Sequence, residues 1–177
     1  MQIQAKCKYD LASVRALVHL GMFKKADPKK RMRFWSITYA VLLLIVIAEI
    51  ILFDSDGILY ILCGADIAVY LLLCYWYFGL PAVRYRAMAK TKDAENAYIF
   101  SEDGLKISTK SQLYNGETEM EYALLVRVYE TSQYFFLYLT NNQVLLVDKS
   151  TVVGGSAEDI RSKLAAFVKD KYILCNY

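Results

Sequence analysis

The chain has 177 residues, 56% of them hydrophobic, and a formal net charge of +3. That apolar share exceeds the ~45–50% usual for a soluble domain, and its concentration in one stretch points to a membrane protein. Residues 1–33 carry nine Lys/Arg against two acids, whereas residues 93–177 carry eight against twelve, so the positive charge flanks the apolar stretch. That placement favours membrane orientation over nucleic-acid binding.

Along the chain, residues 2–9 alternate, with Gln2, Gln4, Lys6 and Lys8 opposed to Ile3, Ala5, Cys7 and Tyr9. This predicts a half-buried strand. An isolated strand would leave its backbone groups unpaired, so it is expected to join a C-terminal sheet. Asp10 is placed to cap a helix that runs to about residue 24, with Leu11, Val14, Val18 and Met22 at helical spacing. Its lone histidine, His19, is assigned to the polar, solvent-facing side. Asp27-Pro28 ends this helix, because the residue before a proline avoids the α region.

A basic cluster follows: Lys24, Lys25, Lys29, Lys30, Arg31 and Arg33. Two apolar runs then cover residues 34–53 and 58–80, joined by the short link 54–57. Each approaches the ~20 residues needed to cross a hydrocarbon core. A second basic cluster, Arg84, Arg86, Lys90 and Lys92, follows the second run. Basic residues at both outer ends, with acids in the turn, match the positive-inside rule, and Trp35, Tyr39, Tyr75, Trp76 and Tyr77 suit an interfacial aromatic belt. The expectation is a transmembrane hairpin with both termini cytoplasmic. All ten residues of the two clusters are candidates for contact with anionic lipid.

Beyond a basic juxtamembrane linker at 81–97, the pattern changes to strands. Residues 98–101 and 104–109 are short strands, and Asn115-Gly116 signals a hairpin turn. Residues 117–129 read as one long strand with Leu124, Val126 and Val128 on one face. Residues 134–140 and 143–147 follow, joined by a tight turn at Asn141-Asn142. Ser156 and Asp159 form a capping-box-like start for a last helix, whose Ile160, Leu164, Phe167 and Val168 make an apolar stripe. The fold class is therefore membrane α+β: a cytoplasmic strand, helix and basic cluster at 1–33, a two-helix transmembrane hairpin at 34–80, and a small antiparallel β domain with a C-terminal helix at 98–177.

The phrases Phe100-Ser101-Glu102-Asp103-Gly104-Leu105, Val128-Tyr129-Glu130-Thr131, Tyr134–Leu139 and Asp148-Lys149-Ser150, set in this architecture, resemble the YcxB-like family of small bacterial membrane proteins. The resemblance implies a C-terminal domain similar to pleckstrin-homology-like folds, a bacterial cell-membrane location and no enzymatic activity. Where that family often has Pro-Lys, this chain has Asp148-Lys149.

The chemistry-bearing residues are sparse. Cys7, Cys63, Cys74 and Cys175 form no CxxC pair and are expected to be free thiols. One histidine cannot furnish a multi-His metal site, and Gly154-Gly155 lacks the lysine of a phosphate loop, so no catalytic residue, metal or cofactor is expected. Glu49 and Asp66 are ionisable residues within the apolar runs, and such groups usually face a bundle interior or a cavity. Glu49 is expected to snorkel outward, and Asp66 to bond a carbonyl or Tyr70, with an oligomer interface or an ion pathway as alternatives. Phe136 and Tyr138, on the face of their strand expected to point outward, are the candidate partner surface. The functional expectation is a non-enzymatic, membrane-anchored interaction module. Its partners would be membrane lipids, an unidentified membrane-associated protein and a possible homo-oligomer, with no nucleic acid. The alternative is an accessory subunit of a transporter or channel using Glu49 and Asp66.

Overall fold

Strand β1 (Ile3–Lys8) buries Ile3, Ala5 and Cys7 and exposes Gln4, Lys6 and Lys8, as its period of two requires. In this computed structural model, which describes residues 2–23, 26–52, 57–88, 94–111 and 115–175, β1 lies well inside an eight-stranded sheet. The strands are β2 (Glu95–Phe100), β3 (Gly104–Lys110), β4 (Asn115–Glu121), β5 (Arg127–Glu130), β6 (Tyr134–Tyr138), β7 (Val144–Val153) and β8 (Tyr172–Leu174). Their order is β4-β3-β2-β1-β7-β6-β5-β8. Every pairing is antiparallel except β5 with β8, which is parallel.

The expected union of the N-terminal strand with the C-terminal sheet is thus present, and it is central. β1 pairs with β2 over six residues, Ile3 opposite Phe100 through Lys8 opposite Glu95. Its other edge meets β7 at Gln4–Val153 and Lys6–Asp148, with a bulge between. Inside that bulge Thr151 stands in for a backbone pair: its Oγ1 accepts from the Lys6 N–H and approaches the Lys6 carbonyl, each at 2.8 Å. Gly154 follows at φ +79°, and a Cβ there would lie 2.8 Å from the Gln2 carbonyl oxygen. Only glycine takes this backbone shape readily so close to a neighbouring strand.

Helix α1 (Leu11–Phe23) starts as expected, with the Ser13 N–H donating to Asp10 Oδ1 at 2.8 Å. Asp27-Pro28 ends one helix and begins another. Asp27 Oδ1 accepts from the N–H groups of Lys29 and Lys30 at 2.9 and 3.3 Å, and proline takes the first helical position, where no N–H is needed. Helix α2 therefore runs Pro28–Leu52, so Lys29, Lys30, Arg31 and Arg33 lie on the same helix as the first apolar run. The return path is α3 (Gly57–Cys74), a π-helical turn (Tyr75–Gly79) and α4 (Leu80–Ala87). Both helical segments, 28–52 and 57–87, are long and apolar enough to span a membrane, and the protein buries none of their most apolar windows. Apart from Gly57, the predicted link 54–57 lies outside the described residues, as do Lys24, Lys25, Lys90 and Lys92.

The sheet departs from the sequence reading in three places. The long strand at 117–129 is broken by a 3-10 turn at Tyr122–Leu124. The break lets Tyr122 and Leu125 enter the core and leaves Leu124 and Val126 exposed. Asn115 and Gly116 do not turn the chain; they open β4, opposite Lys110 and Thr109. The β6–β7 turn needs no left-handed asparagine. Thr140 Oγ1 instead accepts the N–H groups of Asn142 and Gln143 at 3.2 and 3.0 Å. Helix α5 (Ala157–Val168) has the expected capping box on Ser156 and Asp159 and buries Ile160, Leu164 and Val168. Phe167 stays half-exposed but stacks on Tyr122, ring centres 4.9 Å apart.

Within the sheet β2 and β7 meet only through β1, so the strands of residues 98–177 are not continuous without it. Removing residues 2–9 should abolish cooperative unfolding of the sheet in a denaturant titration followed by circular dichroism. Full retention of the wild-type midpoint would show that β1 is dispensable.

Candidate functional site

Pro81 has no N–H, so the carbonyl four residues earlier, that of Tyr77, lacks its α-helical donor. Around it the helix widens to a π turn, with the Leu80 N–H bonded to the Tyr75 carbonyl. The Tyr77 carbonyl meets His19 Nε2 of α1 at 3.1 Å. A carbonyl only accepts, so Nε2 carries the proton and donates it. The imidazole also stacks on the Tyr77 ring at 4.4 Å and meets Phe23 edge-on at 6.0 Å.

His19 is 8% exposed, contrary to its assignment to the solvent-facing side. Helical periodicity on α1 could not reveal this, because its partner is a main-chain oxygen 58 positions away. The available signal was Pro81 inside a helical run. Burial pushes the His19 pKa below its ordinary 6.5, and Arg15 pushes the same way, against the bond to Tyr77. This contact fixes α1 to the foot of the hairpin.

A second junction ties α5 to the sheet. Glu130 on β5 is fully buried. Its carboxylate accepts from Lys149 Nζ at 2.6 Å, from Arg161 Nη2 at 2.6 Å and Nε at 2.9 Å, and from the Tyr172 hydroxyl. Burial alone would raise its pKa, but Arg161, Lys149 and Tyr172 outweigh that and hold it below the ordinary glutamate value. The Lys149 ammonium also sits over the Phe135 ring at 4.7 Å. Lys149 thus serves β5 and β6 although aspartate precedes it.

The candidate partner surface does not exist as expected. Phe136 is fully buried and Tyr138 is half-buried. Strand β6 is covered on both faces. Tyr134 and Phe136 line a groove shared with Ala12, Ala16 and His19 of α1, whereas Phe135 lies under Lys149, which bridges to α5 through Glu130. The N-terminal helix is the cover that strand alternation on β6 could not supply.

The other assigned residues remain apart. Lys29, Lys30, Arg31 and Arg33 are exposed at the start of α2, with Arg31 5.9 Å from the Phe23 ring centre, and Arg84 and Arg86 are exposed on α4. Both sets lie at one end of the hairpin, where Trp35, Tyr39, Trp76 and Tyr77 line a common cleft. Glu49 is exposed and Asp66 half-buried. The Tyr70 hydroxyl goes to Ser36 at 3.3 Å instead of to Asp66, which makes no side-chain hydrogen bond among the described residues. Cys7, Cys63 and Cys74 are free thiols. Burial raises the Cys7 thiol to about 12, aided by Asp148 and Asp10, which makes it a core residue. Among the described residues no group of His, Cys, Asp and Glu is arranged to hold a metal.

These features define a two-helix apolar hairpin inserted into, and bonded to, an eight-stranded α+β unit. The YcxB-like protein family matches residues 100–164, from the end of β2 to the middle of α5, so the resemblance read from the sequence stands for that segment. Strand β1, α1 and the hairpin lie outside the matched span. No curated protein and no solved structure matches the chain.

Two consequences are measurable. Glu130→Gln leaves Arg161 and Lys149 without their counter-charge and should cost about 3 kcal/mol of unfolding free energy, within the range for breaking a buried ion pair. Because the folded Glu130 pKa is depressed, its contribution is present above the ordinary value of 4.5 and is lost as pH falls below it. An unchanged denaturation midpoint in Glu130→Gln would contradict this. His19 is also depressed, so its neutral form favours the docked state above pH 6.5 and acidification through that value weakens it. The wild-type Tm should fall by roughly 2–4 °C between pH 7.5 and 5.5 for a loss near 1 kcal/mol, and His19→Gln, which keeps a donor but cannot charge, should remove that step. An identical pH profile in the variant would exclude His19 as its source.

Proposed function

We propose that this chain is a non-enzymatic interaction module anchored in a bacterial cell membrane by its hairpin, with both termini on the cytoplasmic side. The observation that carries the reading is the docking of α1 on the hairpin foot through His19 and Tyr77, while β1, on the same side of the hairpin, is embedded in the sheet. A tether of this kind holds the sheet at a defined height and orientation at the bilayer, which raises its effective concentration for membrane-bound partners. The unburied apolar surface of α2 and α3 supports insertion, because water penalises so much exposed hydrocarbon. Exposed cations at one end of the hairpin support the orientation. The finer expectation of a pleckstrin-homology-like sheet belongs to this reading and rests on the YcxB-like resemblance.

Asp66 favours a second reading. A half-buried carboxyl in a bilayer, with no hydrogen-bond partner among the described residues, would be stabilised by a neighbouring chain in an oligomer, as in an accessory subunit of a transporter or channel. Asp66→Asn separates the two. Unchanged partner capture and unchanged membrane localisation support the module, whereas loss of assembly or of ion flux supports the subunit. The anchoring itself is tested by carbonate extraction together with a C-terminal reporter fusion. The chain should stay in the membrane pellet with its C-terminus cytoplasmic, and an externally exposed C-terminus would refute the orientation.

A further inference from the structure

A groove of about 500 Å³ opens between α1, the start of α2, the π turn and the β5–β6 turn. Its walls differ in chemistry. Arg15 on α1 and Lys29 on α2 supply cations, Tyr77 and Phe78 supply an aromatic side, and Tyr134 and Phe136 lie along the sheet. Phe78 is 56% exposed, whereas Phe136 is fully buried. The β5–β6 turn adds the exposed side chains of Ser132 and Gln133. Among the described residues the one acid in the lining is Asp27, whose Oδ1 accepts the N–H groups of Lys29 and Lys30. Arg15 and Lys29 make no side-chain hydrogen bond or ion pair among the described residues.

We infer that this groove seats the headgroup of an anionic phospholipid, its phosphate between Arg15 and Lys29 and its upper acyl segments along Phe78. The inference rests on the membrane-anchored reading and gives it a ligand. Three observations select this occupant. Two cations against one carboxylate leave the described lining with a net positive charge, which is complementary to an anion; guanidinium and ammonium groups are the usual phosphate partners. The aromatic side suits the apolar part of the same molecule and not a fully hydrated anion. The groove also sits where the apolar helices begin and end, at the level of the headgroups, so a lipid enters it sideways without leaving its leaflet. Positive-inside orientation alone asks only for cations near the helix ends. It does not ask for a cation on α1, which lies against the sheet, to share a groove with one on α2.

The test uses the full-length chain in nanodiscs of phosphatidylcholine with a minor fraction of phosphatidylglycerol, then counts retained phosphatidylglycerol by native mass spectrometry after mild delipidation. Arg15→Gln with Lys29→Gln should lower retention by about tenfold or more, because each loses a charge-assisted hydrogen bond to the phosphate besides its surface attraction. Arg84→Gln with Arg86→Gln removes equal charge at the same end of the hairpin but outside the groove, and should lower retention by a factor at least threefold smaller. Ser132→Trp, which blocks the groove without altering charge, should lower retention as the groove pair does and keeps the test valid if that pair unfolds. Equal losses in the two double variants, or full retention in Ser132→Trp, would overturn the groove in favour of diffuse attraction. Displacement of the lipid by millimolar inorganic phosphate would overturn the lipid as occupant. Carbonate extraction of the wild-type chain from its membranes would overturn the anchored reading and this inference with it, and it is scored independently of lipid retention.

Discussion

The hydrogen-bonded placement of β1 between β2 and β7 constrains everything else. Six residues at the start of the chain close a gap between strands that come after the hairpin. An interior strand must satisfy both of its edges, so β2 and β7 cannot meet without it. The hairpin is therefore an insertion between two adjacent strands, and its two ends emerge from one folded unit. That geometry holds the foot of the hairpin against α1 and limits how far the sheet can swing away from it.

Two polar contacts complete the assembly, and both use groups that would otherwise be liabilities. A proline in a helix costs a hydrogen bond and bends the ladder. Here the carbonyl it deprives, that of Tyr77, becomes the acceptor for His19. A buried glutamate is expensive unless its charge is met. Here Glu130 joins β5 to β7 through Lys149, to α5 through Arg161 and to β8 through Tyr172. One contact ties the sheet's covering helix to the hairpin and the other ties the opposite helix to the sheet. The groove beside the first contact lies between parts that only the complete chain brings together, with Arg15 from α1 and Lys29 from α2.

Much of this was legible in the residues. Period-two alternation placed β1, Asp10 and Ser156 marked helix starts, and two apolar runs flanked by lysine and arginine marked the hairpin. What escaped depends on contacts distant in sequence. Phe136 reads as surface because alternation assigns it the face opposite Phe135, yet a helix more than a hundred residues earlier covers that face. His19 reads as polar surface because its acceptor is a backbone oxygen, which has no signature in side-chain patterning. Leu124, Val126 and Val128 share a period of two, but the 3-10 turn at Tyr122–Leu124 breaks the register, and only Val128 is buried. Strand β8 is three residues long and pairs in parallel with β5, too short for alternation to announce it. Of the two groove cations, Lys29 was legible as part of a basic cluster beside a span; that it shares a cavity with Arg15 needed the fold.

Hydrogen exchange read by mass spectrometry tests the central claim most directly. If β1 is an interior strand, the amides of residues 3–8 exchange as slowly as those of 95–100 and 144–147 and are released in the same cooperative opening, because all three belong to one hydrogen-bonded ladder. Full exchange of residues 3–8 within seconds, while 95–100 and 144–147 stay protected, would mean that the sheet closes without β1. The hairpin would then be a flexible leader to an independent domain, contrary to this account.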